Sequence, residues 1–334
     1  MRGTGTPLQW NVLCATMGAS TIMATETTPP APASVEPRKP SCDPKALYGM
    51  FTTVLSEIRQ NRNRPLFVLV ADYIDGDTLD DVFSWRKELR EVGQGESFDV
   101  LVHSPGGQLT ACFMIARLLC RFTGRWEALV PQIAGSGATM ICLGSSNIVM
   151  SEISQLGPLD PQVASKKREK FFATERQSPL EAFEALRYLR EFAVASLDAL
   201  MEVLTDRGIA PQKALETSVE IATNLVKPVL EKIDPYDLGA FSLDNKLAIN
   251  YCKEVARPPD PNRKTQRKAF YKSLVEDYPV HEFAIDFGEA QAINLAVSQP
   301  PVDLEVVFDK FRVIASKIKS YVGLVPAPPD GGSQ

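Results

Sequence analysis

Apolar residues follow two different rhythms along this chain. Between residues 65 and 150 they come in short, nearly uninterrupted runs: Leu66-Phe67-Val68-Leu69-Val70, Phe98-Asp99-Val100-Leu101-Val102, Ala128-Leu129-Val130-Pro131-Gln132-Ile133, and a fourth over 147–150. Runs this short and this apolar predict strands covered on both faces. The stretches between them carry helical spacing. Residues 45–59 and Thr78 to Val92 read as helices, the second with Asp77 as its N-cap. A helix over 107–121 places Leu109, Cys112, Phe113, Ala116, Leu119 and Cys120 on one face, and 137–145 reads as a short buried helix. Strands alternating with helices predict βαβ units and a mostly parallel sheet.

After residue 178 the rhythm lengthens. Leu180, Phe183, Leu186, Leu189, Ala193, Leu197, Leu200 and Leu204 form a long helical stripe, and further helices are expected over 210–224 and 243–256. Arg257-Pro258-Pro259-Asp260-Pro261 reads as a loop, and Leu304, Val307, Phe308, Phe311, Ile314 and Ile318 mark a last amphipathic helix. Residues 25–43, rich in Pro, Thr, Ala and Ser, read as the end of a disordered tail. The organisation expected is a tail over 1–43, one α/β domain with helical elaboration over 44–322, and a flexible end over 323–334. No internal repeat is evident.

Composition narrows the partners. The 334 residues are 44% apolar and 23% charged with a net charge of −5, ordinary for a globular protein and not a default nucleic-acid binder. The basic clusters Arg59 to Arg64 and Arg263 to Lys268 lack interleaved aromatics and read as solvated loops. Six cysteines without a Cys-x-x-Cys pair point away from a disulfide framework or zinc site and toward a reducing, cytoplasmic setting. The mildly apolar stretch Leu8 to Ala24 is interrupted by Gln9 and Asn11, so neither a secretory leader nor a membrane span is expected.

Three backbone devices carry the chemistry. His103-Ser104-Pro105-Gly106-Gly107 follows the second strand, and its glycines free N–H groups and permit close approach of another chain. Gly135-Ser136-Gly137-Ala138-Thr139 follows the third, placing a serine at a strand-to-helix turn. Leu156-Gly157-Pro158-Leu159-Asp160-Pro161-Gln162 comes next. A serine hydroxyl needs a base and an oxyanion site to act as a nucleophile. Dinucleotide and nucleoside-triphosphate loops are absent: Met140 stands where the third glycine of G-x-G-x-x-G would fall. The acidic run Asp75 to Asp81 lacks calcium-loop spacing and reads as a helix N-terminus.

In this order the three motifs resemble the serine dehydrogenase proteinase family of the Clp/crotonase superfamily, related to signal peptide peptidase A and the Clp protease proteolytic subunit. Tyr278-Pro279-Val280-His281-Glu282-Phe283 resembles that family's terminal segment, and the likeness spans roughly residues 44–300. It implies a Clp/crotonase-like fold of ββα units, a peptide or protein substrate, self-assembly into a homo-oligomer, and no metal or cofactor. It places Ser136 as the nucleophile, with an oxyanion hole from the N–H of Gly137 and one from Gly106 or Gly107. Ala138 stands where the family has a second glycine.

The base is left open. The segment after the nucleophile helix has no His where the Clp subunit supplies one; Asp160 falls near that place. A Lys base, as in signal peptide peptidase A, would come from Lys166, Lys167 or Lys170, with Lys170 favoured because Phe171 and Phe172 could desolvate it. His281, oriented by an acid such as Glu282, is the other candidate, whereas His103 reads as a hydrogen-bonded turn residue. Two rivals stand beside the peptidase: a crotonase-like acyl-CoA enzyme, helped by a phosphate-binding patch near 59–64, and a non-catalytic oligomeric scaffold.

Overall fold

The alternation of strand and helix resolves into a sheet with a helical layer on each side. A computed structural model describes residues 44–93, 97–122, 125–159, 163–164, 176–177, 179–233, 235–256, 273–278 and 282–327, all within one compact unit, Asp43–Gln334. Helix α1 (Pro44–Arg62) leads into β1 (Leu66–Ala71), α2 (Gly76–Ser84), α3 (Arg86–Gly93), β2 (Phe98–His103) and α4 (Leu109–Phe122). There follow β3 (Trp126–Val130), β4 (Ile133–Ala134), α5 (Gly137–Leu143), β5 (Asn147–Met150) and β6 (Gln155–Leu156). Strands β7 (Val163–Ala164) and β8 (Arg176–Gln177) pair with each other. The long helices α6 (Pro179–Asp206), α7 (Pro211–Leu230) and α8 (Pro235–Val255) precede a π-helical turn, Ser273–Asp277. The chain closes with α9 (Phe287–Ala292), β9 (Val297–Ser298), α10 (Val302–Ala315) and β10 (Ser320–Leu324).

The main sheet has the order β10-β1-β2-β3-β5-β9. Every neighbouring pair is parallel except β10 against β1, which gives the mostly parallel α/β architecture expected. Strand β1 shows why its run is continuous rather than alternating. Phe67 and Leu69 point into the core shared with α2 to α5 and α8, while Leu66, Val68 and Val70 point into a second core with α1 and α10. Phe51, Phe308 and Phe311 are fully buried in that second core; each such side chain contributes about 1.5–3 kcal/mol.

A second, very small sheet lies across the carboxyl ends of these strands. Ser104 bridges Ala134, Ala134 pairs with Leu156, and Leu156 bridges Ile285. Ile74 likewise bridges Gly107. Strands β1, β2, β3 and β5 therefore each continue into a one- or two-residue strand, and for β1, β2 and β3 a helix follows. These are the ββα units that the resemblance implies.

Local chemistry adjusts several boundaries. The helix expected over Thr78 to Val92 is two helices, broken at Trp85, and its N-cap is Asp75 rather than Asp77. Thr78 decides this. Its N–H donates to Asp75 Oδ1 (3.1 Å) and its hydroxyl lies 3.4 Å from the Asp75 N–H, a reciprocal box that Asp77 cannot make. The run at 128–133 splits at Pro131 into β3 and β4, since proline has no N–H for a ladder. Helix α7 continues past the expected end at 224 and through Pro228, and α8 starts eight residues before the expected 243. Strands β9 and β10 were not foreseen.

Candidate active site

The three motifs meet at the carboxyl edge of the sheet, where ligands of parallel α/β proteins bind. Ser136 lies between β4 and α5 with φ 46° and ψ −121°. A non-glycine residue at such a φ is strained by about 1–3 kcal/mol and persists only where its surroundings impose it. Two glycines do so here. Gly106 has φ 124°, and a Cβ there would come 2.9 Å from Ser136 Cβ and 2.8 Å from Gly135 O. On the other side a Cβ on Gly157 would come 2.6 Å from Ser136 N. The serine turn is gripped between two stretches of bare backbone, which is why both flanking motifs are built from glycine and proline.

Hydrogen bonds lock the grip. Buried Thr139 donates its hydroxyl to Ala134 O (2.6 Å) or Gly157 O (2.9 Å) and accepts from Gly157 N–H (3.0 Å). Buried Ser104 fixes the Pro105-Gly106 turn: its Oγ accepts from Gly106 N–H (3.1 Å), and its backbone bonds Ile133 O and Gly135 N–H. Of the expected oxyanion donors, Gly106 N–H is thus occupied. Gly107 N–H and Gly137 N–H have no acceptor among the described residues. The Ser136 hydroxyl makes no capping bond to α5. Neither Thr139 nor Ser104 was singled out from the sequence. A buried Thr in the first turn of an apolar helix was the available signal for the first.

Beyond the turn the chain is pinned on both sides. Leu156 and Ile285 exchange backbone hydrogen bonds of 2.9 Å each way, and Leu159 N–H donates to Leu274 O (2.7 Å). Tyr278 packs on Phe283 (4.7 Å between ring centroids) and donates to Glu289 Oε1 (3.1 Å). Burial and that carboxylate push the Tyr278 phenol well above its ordinary range. On the opposite face, Arg312 bonds Pro131 O (2.9 Å), Ser151 Oγ (2.7 Å) and Glu305 Oε1 (3.0 Å). This ties α10 to the loops that carry β4 and β6.

Asp160, Lys166, Lys167, Lys170 and His281 lie outside the described residues, and Glu282 is exposed. Among the described residues no hydrogen bond holds the His103 ring. It stands edge-on to Phe311 (5.6 Å) in the α10 layer, and its buried Nδ1 has no partner among those residues. It sits at the strand end, where side chains alternate between the two faces, and goes to the face away from α5. Burial lowers its pKa below 6.5, with the charge of Asp72 opposing.

That shift has a sign that can be tested. The folded state keeps His103 neutral, whereas the unfolded chain takes up a proton below about pH 6.5. Stability is therefore lost as pH falls from about 6.5 toward the lowered folded value, at no more than about 1.4 kcal/mol per pH unit. Urea unfolding at stepped pH is expected to show this slope, and His103→Leu to remove its share of it.

The basic run Arg59 to Arg64 is not a solvated loop. It ends α1, and Arg62 and Arg64 are engaged by Asp99 and Glu127 at the amino edge of the sheet, opposite Ser136. A phosphate-binding patch for an acyl-CoA substrate is therefore not formed there. Cys112, Cys142 and Cys252 are buried free thiols, and burial pushes Cys112 and Cys252 up to about 12. Among the described residues no cluster of His, Cys, Asp and Glu could hold a metal ion. No described helix is long and apolar enough to cross a membrane.

The family described as ClpP-like SDH-type serine proteinase matches residues 53–235, which include all three motifs up to Gln162. This chain belongs to that family. Two uncharacterized proteins of the archaeon Methanocaldococcus jannaschii are similar to it. MJ0137 is 32% identical over 213 residues, 63% of this chain and 69% of that protein. MJ1495 is 23% identical over 205 residues, 53% of this chain and 70% of that protein. Among solved structures, the ClpP protease catalytic domain of Plasmodium falciparum aligns with 31% of this chain and 57% of its own length, at 15% identity and a TM-score of 0.25.

Proposed function

We propose that this member of the serine proteinase family hydrolyses peptide bonds through an acyl-enzyme on Ser136. The observation that carries the reading is the strained Ser136 backbone, φ 46°, with a hydroxyl unused by its own helix and two open N–H groups in the turns beside it. A tight turn that merely opened α5 would use its serine as a cap. In the proposed reaction Ser136 Oγ attacks the scissile carbonyl and its proton passes to the base. The N–H groups of Gly107 and Gly137 stabilise the tetrahedral oxyanion. The base then protonates the departing amine, and water releases the acyl group. The peptide lies extended beside the Pro105 to Gly107 turn, adding to the small sheet as a strand.

For the base we put forward His281 and Lys170. The pairing of Ile285 with Leu156 supports His281: it anchors the chain four residues past His281 one residue from Gly157, which touches the Ser136 backbone. The test is fluorophosphonate labelling of the purified protein, with the adduct located by mass spectrometry. Labelling of Ser136 that is lost in Ser136→Ala and in His281→Ala supports a Ser-His site, and loss in Lys170→Ala instead supports a Ser-Lys dyad. A folded protein that takes no label between about pH 6 and 9 overturns the peptidase reading in favour of a non-catalytic scaffold.

A further inference from the structure

Gly137 is a glycine for a reason that lies in another helix. Its own backbone does not demand one: unlike Gly106, it has no positive φ. It opens α5, and within a helix alanine is ordinarily preferred to glycine. What excludes a side chain is Cys112, on α4. A Cβ on Gly137 would overlap Cys112 Sγ, come 3.1 Å from Cys112 Cβ and lie 3.5 Å from Gly107 O. Turning the thiol aside does not clear the space, because Cys112 is fully buried and its Cβ moves only with α4.

Cys112 is tied to the other open N–H group as well. It stands one turn into the helix that starts from the Gly107 turn: its N–H donates to Gln108 O (3.0 Å), and Gln108 N–H donates to Ile74 O (2.7 Å). Ile74 also bridges Gly107. A short path of fixed parts therefore joins the two groups, from Gly107 through the first turn of α4 and the sulfur to Gly137. An oxyanion site works only when its donors stand about 2.7–3.1 Å from the developing charge, so the distance between them decides whether both can act. The thiol brings no reactivity of its own. Burial pushes it up to about 12, and only a thiolate is a nucleophile; the sulfur is a small apolar spacer. We infer that Cys112 is a positioning residue that sets the separation of the Gly107 and Gly137 N–H groups. The inference rests on the peptidase reading, which gives those two groups their role.

The test is the time course of fluorophosphonate labelling at Ser136 over a range of probe concentrations, which separates the covalent step from probe affinity. The urea midpoint of each variant reports its folding. Gly137→Ala is expected to slow the covalent step by about 10²- to 10³-fold, the effect of losing one oxyanion donor, with probe affinity little changed. Adding Cys112→Gly makes room for the alanine and is expected to recover most of that rate, although glycine weakens α4. Cys112→Gly alone leaves Gly137 unsupported and is expected to be slower by about tenfold, and Cys112→Ser, which keeps an atom near the place of Sγ, to lose less. A double variant no faster than Gly137→Ala, or a wild-type covalent rate in both Cys112→Gly and Cys112→Ser, overturns the inference and leaves the peptidase reading standing. So does a set of variants changed only in urea midpoint, which would make Cys112 a packing residue. If Gly137→Ala does not fold, the two Cys112 variants decide. A folded wild type that takes no label at Ser136 sinks the peptidase reading, and the inference falls with it.

Discussion

Replacing Ser136 with glycine is expected to make the protein more stable while removing its activity. At φ 46° and ψ −121° a side chain is strained, and glycine adopts positive φ at no steric cost. The gain expected on denaturant unfolding is about 1 kcal/mol, reduced by the extra freedom glycine has in the unfolded chain. Loss of the nucleophile is expected to lower peptide hydrolysis by about 10⁵- to 10⁶-fold, to the residual level an oxyanion site alone supplies. Ser136→Ala separates the two effects: it removes the hydroxyl but keeps a Cβ in the strained backbone, so activity falls equally while stability changes little. If Ser136→Gly were destabilising, the backbone would not be storing strain for the hydroxyl, and the turn would be an ordinary one. If both variants kept full activity, the nucleophile would lie elsewhere.

The same geometry explains which parts of the site could be read from the chain. A backbone that must pass close to another backbone leaves a durable mark in sequence, because only glycine fits. Gly106 and Gly157 therefore announced the turn that their bare Cα atoms enclose. Strands of one or two residues leave no such mark. β4, β6 and the bridge at Ile285 are too short for any alternation to register, so the small sheet that unites the three motifs emerged only in three dimensions. β10 was hidden for a related reason. Gly323 interrupts its apolar run because a Cβ there would come within 3.1 Å of the Trp85 ring, and a glycine inside a short run reads as a break.

Ion pairs between distant segments leave no mark in the spacing. The strand over 98–102 reads correctly with Asp99 inside it, whereas Arg59 to Arg64 reads as a loop because nothing in the sequence connects it to Asp99 and Glu127. In the fold they are one device, at the end of the sheet away from the serine.

The second large effect expected belongs to that buried charge device. Asp99 is fully buried at the start of β2 and takes two bonds from Arg62, at 2.7 and 3.1 Å. Arg62 reaches on to Glu127 (2.9 Å), and Arg64 joins both carboxylates more loosely and from a more exposed position. Asp99 holds the Arg62 guanidinium above its ordinary pKa, whereas burial pushes the Asp99 carboxyl up. Burial acts on Glu127 in the same direction, but Arg64 and Arg62 outweigh it and keep that carboxyl below its usual range. Arg62→Ala leaves a buried carboxylate with only Arg64, 3.5 Å away, to offset its charge, and is expected to cost about 3–5 kcal/mol, seen as a lower urea midpoint at unchanged slope. Arg64→Ala, at the wetter end, is expected to cost about 1 kcal/mol or less. Replacing both members of the buried pair, Arg62→Met with Asp99→Leu, is expected to recover most of the loss, because the penalty of a buried ion falls on the partner left behind. Such recovery would mean that the pair sets the register of α1, β2 and β3 rather than supplying net stability. An equal loss in the double variant would instead show that the ions themselves hold the sheet's amino edge together.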